Sequence, residues 1–397
     1  MAENKGRQPK GPHSLHATIH HPHADPFKHW PNSDLLATEA DQDFLRHHHG
    51  VVAILFDWPD IRELFDTFNT AAEMARQRSR RAGVRAVSFG FLSLIIAASS
   101  PLIAIALTSD DRVATRILAA CGLLTVILAV LSVFLGLTQV LRGKHKAHWL
   151  GNRFCAERIR QFHFQLILNN LPHAIQALSS QASMGSWLRF RKDELDRFEH
   201  EFMQFAGEKF QELLKDDNED RTWVMEGWAK TGPAPPPSPA LHQVLKVLRE
   251  QRLGIQKRYA ALKLKPGWHS PSMLHRWTTR IADALTLILL LVTVVGGAGA
   301  VYALSGAEMD LMRTTTVAIA GMLAAGIIAL RVLNEGLQLG VETERCRWYL
   351  AALESLDTRF THADTARKVI LLREMEQLSY QELTRFVVSA GGSRFIM

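Results

Sequence analysis

Two short runs place one carboxylate beside closely spaced guanidiniums: Glu157-Arg158-Ile159-Arg160 and Glu344-Arg345-Cys346-Arg347. Each is followed two residues later by an aromatic, Phe162 and Tyr349, so both read Glu-Arg-x-Arg-x-aromatic. On a helix the Glu and the second Arg are three apart and form neighbours, while the aromatic points to another part of the surface. One exposed ion pair stabilises a helix by only about 0.2–0.5 kcal/mol. Stability alone is a poor reason for such a pattern, and recognition between helices, or between subunits, is the chemistry it suggests.

Other reactive residue types are present without a catalytic arrangement. CxxC, HExxH, P-loop, GxSxG and GxGxxG patterns do not occur in a fitting context. The three cysteines, Cys121, Cys155 and Cys346, predict no disulfide framework. Nine of the 18 histidines lie in residues 1–49, including His20, His21, His23 and the run His47–His49. A metal site needs fixed geometry, whereas Pro9, Pro12, Pro22, Pro26 and Pro31 point to a loose, solvated arm over residues 1–56. No catalytic residue, cofactor or metal is therefore expected, and the chain does not read as an enzyme.

The elements that must carry the two runs are visible in where charge is missing. Ala86–Ser109 has 24 residues without Asp, Glu, Lys or Arg, Ile117–Leu141 has 25, Ala284–Ala307 has 24 and Thr314–Leu330 has 17. A bilayer core takes about 20 apolar residues per helix. The first three blocks meet that length, and the fourth does so if Arg331 snorkels and Val332–Leu333 are buried. Gln161–Leu188 is also uncharged but carries Gln161, Gln165, Asn169, Asn170, Gln176 and Gln181. Amides of that number would lack partners in hydrocarbon, so it is not a span.

Short separations, Asp110–Arg116 and Glu308–Arg313, join the blocks as two antiparallel hairpins at 86–141 and 281–333. The expected fold class is all-α: an integral membrane protein of four spans with a cytosolic helical bundle. Arg76, Arg78, Arg80, Arg81 and Arg85 precede the first hairpin, and Arg142, Lys144, Lys146 and Arg153 follow it. Arg276, Arg280, Arg331, Arg345 and Arg347 flank the second. The positive-inside rule then predicts a multi-pass protein of the inner membrane with both termini cytoplasmic. MAENKGRQPKGPHS has no apolar core of a signal peptide, so the spans themselves are expected to direct insertion.

Outside the spans, Ile61, Leu64, Phe65, Phe68 and Ala72 predict a helix over 57–85 that feeds into the first span. Residues 142–231 read as a cytosolic helical region. Trp149–Leu171 is its first helix, Pro172 opens a new segment, and Phe198, Phe202, Phe205 and Phe210 form a core stripe. Gly232–Pro239 is a semi-rigid linker. Residues 240–280 predict a basic amphipathic helix, with Lys246, Arg249, Arg252, Lys257 and Arg258 on a solvated face or against anionic headgroups. Residues 334–397 complete the chain as C-terminal helices.

The spans carry no ionisable residue near mid-depth, which argues against proton-coupled or ion-coupled transport. The second hairpin is rich in small residues, with Gly296, Gly297 and Gly299 in the third span and Gly321 and Ala325 in the fourth. Such residues let helix backbones approach in lipid, within one chain or between copies.

A membrane hairpin leading into a helix that bears Glu157-Arg158-Ile159-Arg160, repeated with Glu344-Arg345-Cys346-Arg347, resembles the SLATT family of bacterial two-helix membrane effectors. The resemblance covers roughly Arg85–Leu171 and Arg280–Leu356. It implies a pore-forming or channel-like homo-oligomer of antiviral defence signalling, silent until a cytosolic protein sensor or a nucleotide signal triggers it. The chain departs from that pattern in carrying two hairpins and no visible nucleotide-binding domain. The alternative is a membrane-anchored scaffold that recruits a cytosolic protein. Membrane lipids are expected partners in either case. Nucleic acid is disfavoured despite a pI near 9.4, because the Lys246–Arg258 helix lacks interleaved aromatics.

Overall fold

The computed structural model describes residues 33–107, 111–137, 144–204, 206–207, 235–265, 270–303 and 310–392, and the regular elements among them are helices. The chain is an all-α protein in which four helices are long and apolar enough to cross a membrane.

The helical domain begins well before the predicted arm ends. Thr38 and Asp41 form a reciprocal capping box at the start of α1 (Glu39–His49), and α2 (Ala53–Phe56) follows. Leu35, Leu36, Leu45, Val52, Leu55 and Phe56 are all buried. Residues 33–56 are therefore folded into the core, which corrects the reading of 1–56 as a loose arm. The His run masked a short apolar stripe. The prolines and remaining histidines that suggested looseness precede residue 33, outside the described residues.

Pro59 sits in the first turn of α3 (Pro59–Ala106), where its missing N–H costs nothing. This helix is unbroken for 48 residues, from the core of the helical domain through the first span. Pro101 is tolerated near its far end, where Ser99 and Ser100 both donate to the Ile96 carbonyl. The partner span is α4 (Asp111–Leu135). Ser132 Oγ donates to the Ala86 carbonyl (2.8 Å) and Ser93 Oγ to the Thr125 carbonyl (3.0 Å), so hydroxyls fasten the first hairpin.

Past the first hairpin, α5 (Lys144–Asn169) runs into the domain core, followed by α6 (Leu171–Ala177) and α7 (Gln181–Phe198). Of the uncharged Gln161–Leu188 stretch, Gln161–Leu168 is buried throughout and Leu171, Ala174, Ala177 and Trp187 reach the core, while Pro172, Gln176, Gln181 and Leu188 are exposed. Phe198 and Phe202 stack with ring centroids 5.0 Å apart in the same core. Phe205 and Phe210 lie outside the described residues, as do residues 232–234 of the predicted linker.

The predicted basic amphipathic helix over 240–280 is instead two α-helices joined by a π-turn, followed by the first turns of a third α-helix. Ser238 caps α8 (Pro239–Leu248), a wider π-turn spans Arg249–Gly254, and α9 (Ile255–Leu264) follows. The second hairpin is α10 (Pro271–Ala303) and α11 (Asp310–Gly336), so its first helix starts ten residues before the predicted boundary at 281. Leu241, Val244, Leu248, Arg252 and Ile255 are buried in the domain core. The face reading fails at Arg252, although Lys246 stays exposed. Finally α12 (Leu339–His362) and α13 (Thr365–Gly392) form an antiparallel pair, with α13 packed on α5.

In the membrane layer α3 packs on both α4 and α11, and α11 packs on α10. The spans therefore stand in the order α4, α3, α11, α10. Burial agrees with this order. Ala86, Val87, Gly90 and Ser93 of α3 and Ala318, Ala325, Ile327 and Ala329 of α11 are buried, against Leu128 alone among the described residues of α4. Large apolar side chains such as Leu123, Val126, Val130, Leu287, Leu290 and Leu291 are exposed on the flanking helices, as lipid-facing surface requires.

Candidate functional site: a buried charge cluster

The first Glu-Arg-x-Arg run lies in the middle of α5, facing three other segments. Arg160 Nη1 donates to Glu157 Oε2 at 3.0 Å, and Arg153 of the preceding turn reaches Glu157 Oε1 at 2.5 Å. Arg160 also lies 3.4 Å from Asp34 Oδ2 and stacks over Phe65 of α3, 4.8 Å from the ring centre. Asp34 is completely enclosed; its Oδ2 accepts from Gln256 Nε2 (3.0 Å) and lies 3.4 Å from Arg252 Nη1. Arg252 then closes on Glu376 of α13 through two parallel hydrogen bonds of 2.7 and 3.1 Å, with Phe164 beneath it. One connected cluster thus links the segment before α1 with α5, the π-turn and α13.

Burial alone would make these charges expensive, so the pairing must be tight. Burial opposes the charged form of Arg252, but the facing Glu376 carboxylate outweighs it and raises its pKa. Burial likewise opposes ionised Glu157, yet Arg153, Arg160 and Arg252 hold it below the usual carboxylate value. Arg158 differs, since it bonds to Gln161 and lies over the Phe202 and Tyr380 rings at 5.8 and 5.6 Å. Burial lowers its pKa to about 10.

The second run sits in another environment. Glu344 and Arg347 pair with each other on an open surface, with side chains 70% and 62% exposed. Arg345 turns inward, 3.4 Å from Glu382 Oε1 of α13 and over the Phe386 ring at 4.6 Å. Sequence similarity between the runs therefore does not extend to their surroundings. Only the first is built into the interior, so its ion pair is not the surface pair expected from spacing.

Of the cluster's members, Asp34 and Glu376 were absent from the sequence candidates, and Arg252 was read only as part of a basic face. A signal existed for Arg252 and Glu376. Leu241, Val244, Leu248, Arg252 and Ile255 recur at three- and four-residue steps, as do Val369, Leu372, Glu376 and Leu383 at steps of three, four and seven. A charge on the apolar stripe of an amphipathic helix is a charge aimed at the core.

Remaining reactive groups are subdued by burial. The Cys155 thiol is pushed up to about 12 and Cys346 to about 11, which keeps both protonated. His163 is lowered to about 3, chiefly by burial and then by Arg191, Arg252 and Arg62, so its ring among Trp58, Phe56 and Phe164 is neutral. Of the His run, His49 Nε2 reaches Glu250 Oε2 at 2.9 Å in a shallow cleft of about 380 Å³ lined by Phe44, His48, Lys246, Gly254 and Arg258. Among the described residues no three His, Cys, Asp or Glu side chains converge as metal ligands.

The small residues of the second hairpin divide by face. A Cβ at Gly296 would collide with the Thr316 methyl group, so α10 and α11 touch there. A Cβ at Gly321 would lie 3.1 Å from Ala98 Cβ, which places Gly321 at the contact between the two hairpins. Ala325 is buried on the same helix, and Gly299 is half-buried. Gly297 faces the other way, with nothing within 4 Å of an added Cβ, and so makes no contact with another helix among the described residues.

Compared with protein-family models, curated proteins and solved structures, the chain matches none.

Proposed function

We propose that this protein is a membrane effector whose helical domain controls the arrangement of its spans, assembling as a channel-like homo-oligomer of the SLATT kind. In this reading it has no catalytic activity of its own, sits in the inner membrane with both termini cytoplasmic, and responds to a cytosolic protein sensor in bacterial defence. The observation that carries the reading is α3. One rod of 48 residues joins Phe65, which underlies Arg160 in the buried cluster, to Ala98 at the hairpin contact. A change in the domain's charged core would move the central span directly. The four spans stand in a row with apolar flanks, so a conducting path would form only between copies, where a constriction lined by small and apolar side chains stays dry until it widens.

The test is depolarisation or uptake of an impermeant dye on expression with a trigger. Gly297→Leu leaves contacts within the chain intact and should abolish permeabilisation if that face meets another copy. Gly321→Leu should disrupt the hairpin contact itself and lower both assembly and stability. A parent that inserts at high level, with its trigger present, and leaves membrane potential unchanged would establish the scaffold reading instead.

A further inference from the structure

We infer that Arg85, Arg280 and Arg331 stand at one level of the membrane boundary next to the helical domain, and that together they bind the phosphates of anionic phospholipids. Phe91 of α3, Gly326 of α11 and Leu285 of α10 meet in the membrane layer, within 3.4 and 4.0 Å of a Cβ built on Gly326. Toward the helical domain, Arg85 lies six residues from that junction and Arg280 and Arg331 five. At 1.5 Å per helical residue these are about 9 and 7.5 Å, so the three arginines stand at one height on three adjacent helices.

All three are exposed and, among the described residues, make no ion pair. Several other arginines are matched to carboxylates, as with Arg46 and Arg62 on Asp57, Arg249 on Asp357 and Arg359 on Glu374. Asp283 on α10 and Glu335 on α11, exposed one turn from Arg280 and Arg331, leave the level net positive. Lipid-facing side chains begin immediately on the far side, with Ile281 at 42% and Leu287 at 68% exposed. On the near side Trp277, 48% exposed, occupies the depth favoured by amphipathic aromatics. Guanidiniums at headgroup height that outnumber the nearby carboxylates and can each chelate a phosphate fit an anionic lipid better than a zwitterionic one.

The full-length chain, extracted from bilayers of equal phosphatidylglycerol and phosphatidylcholine, should retain the anionic lipid in preference. Each single change, Arg85→Gln, Arg280→Gln or Arg331→Gln, should lower that enrichment about five-fold. The triple Gln variant should lose it and the triple Lys variant keep it. If the triple Gln chain does not insert, the single variants decide the matter. A parent without lipid preference, single Gln variants enriched like the parent, or displacement of the lipid by millimolar inorganic phosphate would each overturn the assignment. Because the readout is bound lipid, the result is independent of whether the protein conducts.

Discussion

Arg252 and Glu376 lie 124 positions apart in the chain, and their side chains meet in a two-pronged ion pair with both residues at most 2% exposed. The pair ties the π-turn to the last helix, and through Asp34 and Arg160 it is tied to α5 and α3. Two desolvated charges of opposite sign stabilise little as a pair, but either one left alone in the interior is costly.

Arg252→Met should therefore strand Glu376 and weaken the hold on Asp34, destabilising the protein by about 3–5 kcal/mol. Arg252→Met combined with Glu376→Leu should recover most of that loss, because neither charge is then left unpaired. Denaturant melts of the detergent-solubilised chain check both values. Equal loss in the single and double variants would mean that packing, rather than unpaired charge, dominates the site.

How much of this was legible beforehand depends on what each pattern reports. The spans follow from missing charge, which lipid enforces on every face, and all four stand where the charge-free blocks lie. For the same reason their order was hidden, since a helix that is apolar all round gives no sign of which side meets a neighbour. Pro172 in the first turn of α6, and the continuity of α3 into the span, were readable from local chemistry. The environments of the two Glu-Arg-x-Arg runs were not, because only tertiary packing brings Asp34 to Arg160 and leaves Glu344 and Arg347 in the open.

Acid should destabilise the helical domain through His163. Its folded pKa is lowered from 6.5 to about 3, mainly by burial, and both ring nitrogens lack hydrogen-bond partners among the described residues. A group with a depressed folded pKa contributes stability that is present above its unfolded pKa and is lost as pH falls toward the folded value. The melting temperature should thus fall from near pH 6.5 downward. His49, lowered mainly by burial, acts with the same sign, while Glu157, held below 4.5 by its arginines, adds its loss only at lower pH. His163→Phe, which keeps an aromatic ring beside Phe56, Trp58 and Phe164, should flatten the parent's slope between pH 6.5 and 4.5. Superimposable melting curves for parent and variant across that interval would rule His163 out.

The two copies of the repeated run should respond very differently to charge reversal. Arg160 has a side chain 4% exposed, bonded to Glu157 and close to Asp34, so Arg160→Glu places a third carboxylate in an enclosed space. The expected cost is on the order of that for stranding a buried charge, about 3–5 kcal/mol, enough to unfold a marginal domain. Arg347→Glu meets only the exposed Glu344, and like charges three apart on a helix cost about 0.2–0.5 kcal/mol. Thermal melts should separate the variants clearly, and size-exclusion profiles then give Arg347 its meaning. A change in assembly at unchanged melting temperature would place the second run at a contact between copies. With neither quantity altered, Glu344 and Arg347 are a solvated pair, and the resemblance between the runs carries functional weight only at the buried copy.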